Sequence, residues 1–209
     1  MEHEAVYNRY FEDKSVVIFD LDNTIYNELD YLQCAYREIG SDIEKNYGIP
    51  SPGVFNFLMT EFKENGRSKL FNNLISQFNL PAEYLTKALQ ILREVSIPTR
   101  LPCFKEVTDL ISLSINNNKK VFIVTNGNVR QQRNKISNID FSDLLNNVIV
   151  IYANDHKPKP DPASYIYLKE KYLIADNTGI MVGDSITDQE FAEACGIDFV
   201  HVNNIISGC

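Results

Sequence analysis

Asp20 and Asp22 stand two residues apart in the segment Asp20-Leu21-Asp22-Asn23-Thr24, directly behind the apolar run Val16-Val17-Ile18-Phe19. A third aspartate, Asp184, belongs to Gly183-Asp184-Ser185-Ile186-Thr187-Asp188, which follows Ile180-Met181-Val182. Carboxylates gathered together repel one another unless a cation neutralises them. Oxygen ligands favour a hard ion, and Mg²⁺ is bound through one or two carboxylates plus substrate phosphate. Asp20 could then attack phosphorus and form an aspartyl-phosphate, splitting one hard step into two easier ones. Asp22 could protonate the leaving oxygen and later activate water. The Thr125 hydroxyl, the backbone amides of Asn126 and Gly127, and a lysine from Lys157-Pro158-Lys159-Pro160 could hold the other phosphoryl oxygens.

Such groups act together only if the chain brings them to one place. The runs 16–19, 121–124, 148–151 and 180–182, with a weaker one at 199–202, are short, apolar and rich in β-branched residues. Runs of this kind suit strands buried on both faces of a parallel sheet. Helical spacing lies between them: around Phe104 to Ser114, from about Asp161 to Tyr172, and from Asp188 to Cys195, stopped by Gly196. The alternation predicts an α/β protein with a Rossmann-like, doubly wound parallel sheet of about five strands. In a parallel sheet every carboxyl end lies on one edge, which is where open α/β sheets bind ligands. Residues 27–98 are helical throughout, divided into roughly four helices by turn signals at Gly48-Ile49-Pro50, Asn65-Gly66 and Asn79-Leu80-Pro81. The expected organisation is a core of residues 1–26 and 99–209 carrying a helical insertion, 27–98.

The chain has 209 residues and a formal net charge of -8, with 44% hydrophobic residues. Its length suffices for a sizeable core, and its eleven Tyr and twelve Phe argue against disorder. The acidic balance argues against nucleic acid or an anionic membrane as partner. A small phosphorylated substrate remains compatible, because local charge in a cleft can outweigh the global field; oligomeric state is not legible. Cys34, Cys103, Cys195 and Cys209 are scattered, so free thiols are expected. With no signal-type apolar stretch after Met1, a cytoplasmic location is expected. His3, His156 and His201 lack metal-ligand spacing. A calcium loop starting at Asp20 fails, since its sixth position is Ile25 and its twelfth Tyr31.

Four motifs in order, Asp20 to Thr24, Thr125, a lysine in a Pro-rich segment, and Gly183 to Asp188, resemble those of the haloacid dehalogenase (HAD) superfamily of phosphohydrolases. The resemblance runs over essentially the whole chain. It implies that Asp20 is the nucleophile, Asp22 the general acid/base and Asp184 a magnesium ligand. It further implies that Asp20 and the Asp22 backbone carbonyl bind the metal, and that Asp188 supports the site. The helical insertion resembles the cap of the superfamily's first structural class. Counting the family's KPxPxx[FY] pattern from Lys159 puts Tyr165 in the aromatic position; from Lys157 it puts Ala163 there. Lys159 is therefore expected at the phosphate and Lys157 as a second contact or a surface charge. Arg67, in the insertion, is a candidate for a second anionic group of the substrate. The resemblance points to a magnesium-dependent phosphatase acting on a sugar phosphate or nucleotide. A phosphomutase resembling β-phosphoglucomutase, or a non-catalytic binding module, is the alternative. Dehalogenation is disfavoured because family dehalogenases lack the second aspartate, Asp22.

Overall fold

The computed structural model describes residues 2–175 and 178–206; Cys209 and the side chain of His3 lie outside that description. Two units emerge, one of residues 1–28, 100–132 and 139–209, the other of residues 29–99 and 133–138.

The first unit opens with α1 (Glu2–Tyr10) and β1 (Val16–Phe19). After the second unit's helices come α6 (Lys105–Asn116), β2 (Lys120–Thr125), α7 (Val129–Asn138) and β3 (Val148–Tyr152). Then follow α8 (Ala163–Tyr172), β4 (Gly179–Gly183), α9 (Ile186–Cys195) and β5 (Asp198–His201). The five strands form one parallel sheet in the order β3-β2-β1-β4-β5. The chain builds outward from β1 to β3, then returns to set β4 on the other flank of β1. Strand order therefore reverses at β1, and the crevice beyond the carboxyl ends of β1 and β4 is the topological switch point.

The central strands are apolar because both faces are covered. Val16, Ile18, Phe122, Val124 and Met181 pack with Tyr165 and Leu168 of α8 and with Phe191 and Ala192 of α9. On the opposite face Val17, Phe19, Val121, Ile123, Ile180 and Val182 are buried as well. Fully burying one such side chain contributes about 1.5–3 kcal/mol, so this sheet is a firm base for the loops at its edge. The outer strand β3 departs from the expected two-sided burial: Ile149 and Val150 are only half-buried, because β3 pairs on one side alone. Helix α9 ends at Gly196, whose φ of 66° is left-handed and open to glycine without strain.

The second unit contains α2 (Glu28–Tyr47), α3 (Ser51–Asn65), α4 (Leu70–Gln77) and α5 (Tyr84–Glu94). Leu32, Ala35, Tyr36, Ile39 and Ile43 of α2 recur at three- and four-residue steps and are buried, as are Val54, Leu58, Leu74, Ala88 and Ile91. Arg133–Asn138 of α7 belong to this unit. There the Asn134 side chain donates to the Val95 carbonyl at 3.0 Å and to the Tyr31 hydroxyl at 3.1 Å.

Candidate active site

Asp20 is the first residue beyond β1, and its amide still donates to the Val182 carbonyl of β4 at 2.9 Å. That ladder bond fixes its backbone at the switch point, with the residue 8% exposed. Lys159, on the segment after β3, places Nζ 2.5 Å from Asp20 Oδ1 and 2.6 Å from Asp188 Oδ1. The lysine is held from behind by Asn126: Asn126 Oδ1 accepts from the Lys159 amide at 2.8 Å, and Asn126 Nδ2 donates to the Lys159 carbonyl at 2.9 Å. The residue after Thr125 thus clamps the backbone of the loop bearing the ammonium.

Asp188 is fixed by the start of α9. Ser185 is the N-cap; its Oγ donates to Asp188 Oδ2 at 2.7 Å and accepts from the Asp188 amide at 3.3 Å. The Ser185 amide donates back to Asp188 Oδ2 at 3.3 Å, completing a reciprocal cap. One carboxylate oxygen of Asp188 therefore serves its helix and the other serves Lys159. A Cβ on Gly183 would stand 2.5 Å from Asp188 Cβ, so β4 must end in glycine for α9 to approach this closely.

The charges do not balance. Burial pushes the Asp20 carboxyl up to about 7, and although Lys159 pulls it down, neighbouring Asp188 and Asp22 push it up further. Burial opposes the charge on Lys159, but Asp20 and Asp188 outweigh it and hold the ammonium above the ordinary lysine range. Asp184 is also raised, by burial and then by Asp188, against a hydrogen bond with the Asn23 side chain. Carboxylates this crowded call for a further cation. Asp20, Asp184 and Asp188 each offer an oxygen within 4.8 Å of the others. An all-oxygen donor set suits a hard divalent ion, so these residues fit a metal.

Asp22 is held at both oxygens. The Tyr26 hydroxyl donates to Oδ1 at 2.8 Å, and Gln132 Nε2 donates to Oδ2 at 3.1 Å. Gln132 Nε2 also lies 2.6 Å from Thr125 Oγ1 and 2.8 Å from the Asn126 carbonyl. Between Asp20 and these groups the loop turns at Asn23, whose φ of 56° is left-handed. Asparagine tolerates that region better than most residues, and Asn23 Oδ1 caps the turn by accepting from the Glu28 amide at 3.1 Å.

The structure thus gathers Asp20, Lys159 and Asp188 into one ion-paired chain, with Asp184 alongside, and connects Asp22 to Thr125 through Gln132. The remaining candidates of the first unit, Lys157 and Gly127, meet partners of their own. Lys157 is exposed and 3.4 Å from Asp161 Oδ2 on its own loop. Arg67 is exposed in the turn between α3 and α4 of the second unit. The Gly127 amide, expected to face a phosphoryl oxygen, instead donates to Asn154 Oδ1 at 2.8 Å. His156 is exposed, its ring 4.5 Å from that of Tyr167. Gln132 and Asn154 are not among the residues that the sequence marks, and it marks Ser185 only as part of a motif. The Ser185-x-x-Asp188 spacing does carry a capping signal, whereas nothing local marks Gln132 or Asn154.

A family model described as haloacid dehalogenase-like hydrolase matches residues 17–202. Among solved structures, a HAD phosphatase from Thermococcus onnurineus is 22% identical, with 90% of this chain and 85% of that one covered at a TM-score of 0.58. YfnB from Bacillus subtilis, in a structure bound to magnesium, is 20% identical over 90% of this chain and 88% of that one, at a TM-score of 0.61. A HAD family hydrolase from Deinococcus radiodurans, with bound phosphate and sodium, is 14% identical over 90% of this chain and 80% of that one, at 0.58. At these identities the likeness is one of fold. The comparison with curated proteins found no match.

Proposed function

The chain belongs to the haloacid dehalogenase-like hydrolases, and we propose that within them it is a magnesium-dependent phosphatase of small phosphorylated metabolites, working through an aspartyl-phosphate. The observation that carries this reading is the ion-paired chain Asp20–Lys159–Asp188 at the switch point of the sheet, with an Asp184 oxygen within 4.8 Å of theirs. Structural relatives holding magnesium or phosphate add support.

In this reading Asp20 and Asp184, with the Asp22 backbone carbonyl, hold Mg²⁺. Bound there, the ion offsets the negative charge of the carboxylates and of the incoming phosphate, letting two anions meet. A carboxylate oxygen of Asp20 attacks phosphorus while the bond to the leaving oxygen breaks, and Asp22 delivers a proton to that oxygen. Water then attacks the phosphoryl group as Asp22 takes its proton. The bond from phosphorus to Asp20 breaks, leaving inorganic phosphate and the free carboxylate. Lys159 and Thr125 hold the non-reacting phosphoryl oxygens, with Lys159 kept charged by Asp188. Asn126 serves by fixing the Lys159 backbone. The helical unit acts as a cap bearing substrate selection, with Arg67 as a candidate contact for a second anionic group.

Free thiols at Cys34, Cys103 and Cys195 support a reducing, cytoplasmic setting. No helix among the described residues is long and apolar enough to cross a membrane. The test is a screen of phosphorylated sugars and nucleotides with magnesium, reading free phosphate. Wild type should release phosphate from at least one, and Asp20→Asn should release none while keeping its fold by circular dichroism. Turnover by Asp20→Asn at the wild-type rate would overturn the nucleophilic assignment.

A further inference from the structure

Gln132 is 2% exposed, a buried polar side chain whose amide nitrogen meets three oxygens. Two of them, the Asn126 carbonyl and the Asp22 carboxylate, only accept hydrogen bonds. The orientation of the amide is therefore dictated: nitrogen faces the cluster, and Gln132 donates. The third oxygen, Thr125 Oγ1, is the nearest at 2.6 Å. Gln132 thus touches both Asp22, beyond β1, and Thr125, at the end of β2.

We infer that Gln132 is a positioning residue that locks the Asp22 carboxylate and the Thr125 hydroxyl into one frame, so that the proton donor and the phosphoryl oxygens keep a set separation. The inference rests on the proposed role of Asp22 as acid/base. Tyr26 alone cannot do this: its hydroxyl reaches Asp22 Oδ1 from four residues along the same loop, which fixes the carboxylate to its own loop and not to β2. Gln132 comes from α7 and supplies the tie between strands. Without it Asp22 keeps its place in the chain but gains freedom to turn away from the leaving oxygen, so a poor leaving group suffers beyond any loss from a loosened Thr125, which all esters share.

This predicts a loss that depends on the leaving group. A nitrophenolate departs without protonation, whereas a methoxyphenolate needs the proton that Asp22 delivers. Wild type and Gln132→Met, which keeps the volume and removes the donors, are compared by kcat/KM on substituted phenyl phosphates from 4-nitrophenyl to 4-methoxyphenyl with magnesium. This parameter covers the steps up to departure of the leaving group. Gln132→Met should lose about tenfold more on the 4-methoxyphenyl ester than on the 4-nitrophenyl ester, a modest part of what a general acid supplies. In an Asp22→Asn background, adding Gln132→Met should cause no further divergence between the esters. Gln132→Leu, equally donor-free, serves as the second variant, and thermal melting checks folding of each. Parallel losses on all esters would overturn the inference and leave Gln132 as packing, as would failure of both variants to fold. A wild type releasing phosphate from none of the esters or metabolites would instead sink the proposed function, and the inference with it.

Discussion

Lys159 lies between two carboxylates with almost no contact to water, and its partner in sequence, Lys157, lies in solvent. Removing one member of a buried ion pair leaves the others uncompensated, at a cost of about 3–5 kcal/mol. Lys159→Met should therefore lower stability in urea by about 3 kcal/mol and end phosphate release. Lys157→Met should change stability by less than about 0.5 kcal/mol, as expected of an exposed charge. That Lys159 is the lysine beside Asp20 is legible through Tyr165, six residues beyond it, which is buried against the sheet and anchors the segment. The role of Asn126 was not legible, because its partners are backbone atoms 33 residues away. The cysteines offer a second test. Burial pushes the Cys103 and Cys195 thiols up to about 12, and Cys34 is raised by burial as well. Since the thiolate is the nucleophile, iodoacetamide at pH 8 should modify Cys103 and Cys195 at least about tenfold slower than a free thiol, read peptide by peptide in mass spectra.

Among the elements, α9 does the most to shape the site. Its cap, Ser185, and the glycine before it, Gly183, together set where Asp188 meets Lys159. Ser185→Ala removes a capping hydroxyl and should cost about 1 kcal/mol, with reduced turnover because Asp188 loses its hold on one oxygen. Gly183→Ala forces a methyl against Asp188 and should cost about 1–3 kcal/mol, the range for overpacking. Denaturation midpoints with unchanged slopes would check both. The sequence pattern revealed α9, α8 and α6, because each buries an apolar stripe. It missed α7: the inward positions there are Gln132, Lys135 and Ile136, two of them polar, so no hydrophobic periodicity marks the helix. The strand β3 is legible as an apolar run, but at the edge of the sheet it leaves Ile149 and Val150 half-buried.

For the molecule as a whole, a ligand that binds only the folded chain raises its stability by mass action. Magnesium at about a hundred times its dissociation constant should add about 2.7 kcal/mol, or roughly 5–10 °C in Tm for a chain of this size. Asp184→Asn should lose most of that shift, whereas Lys157→Met should keep it; an equal shift in wild type and Asp184→Asn would remove Asp184 from the metal site. Sequence by itself determined the parallel α/β core, the stretch of helices between the first two strands, and the acidic and basic residues at the strand ends. Those follow from hydrophobic periodicity and from the rule that parallel strands share one carboxyl edge, both of which are written locally along the chain. Only the tertiary structure decided which oxygen of each carboxylate meets which donor, that Asn126 clamps Lys159, that Gln132 joins Asp22 to Thr125, and that residues 133–138 belong with the helical unit. These are contacts between segments far apart in the chain, made by side chains whose polarity alone predicts solvent exposure, and only close packing selects their partners.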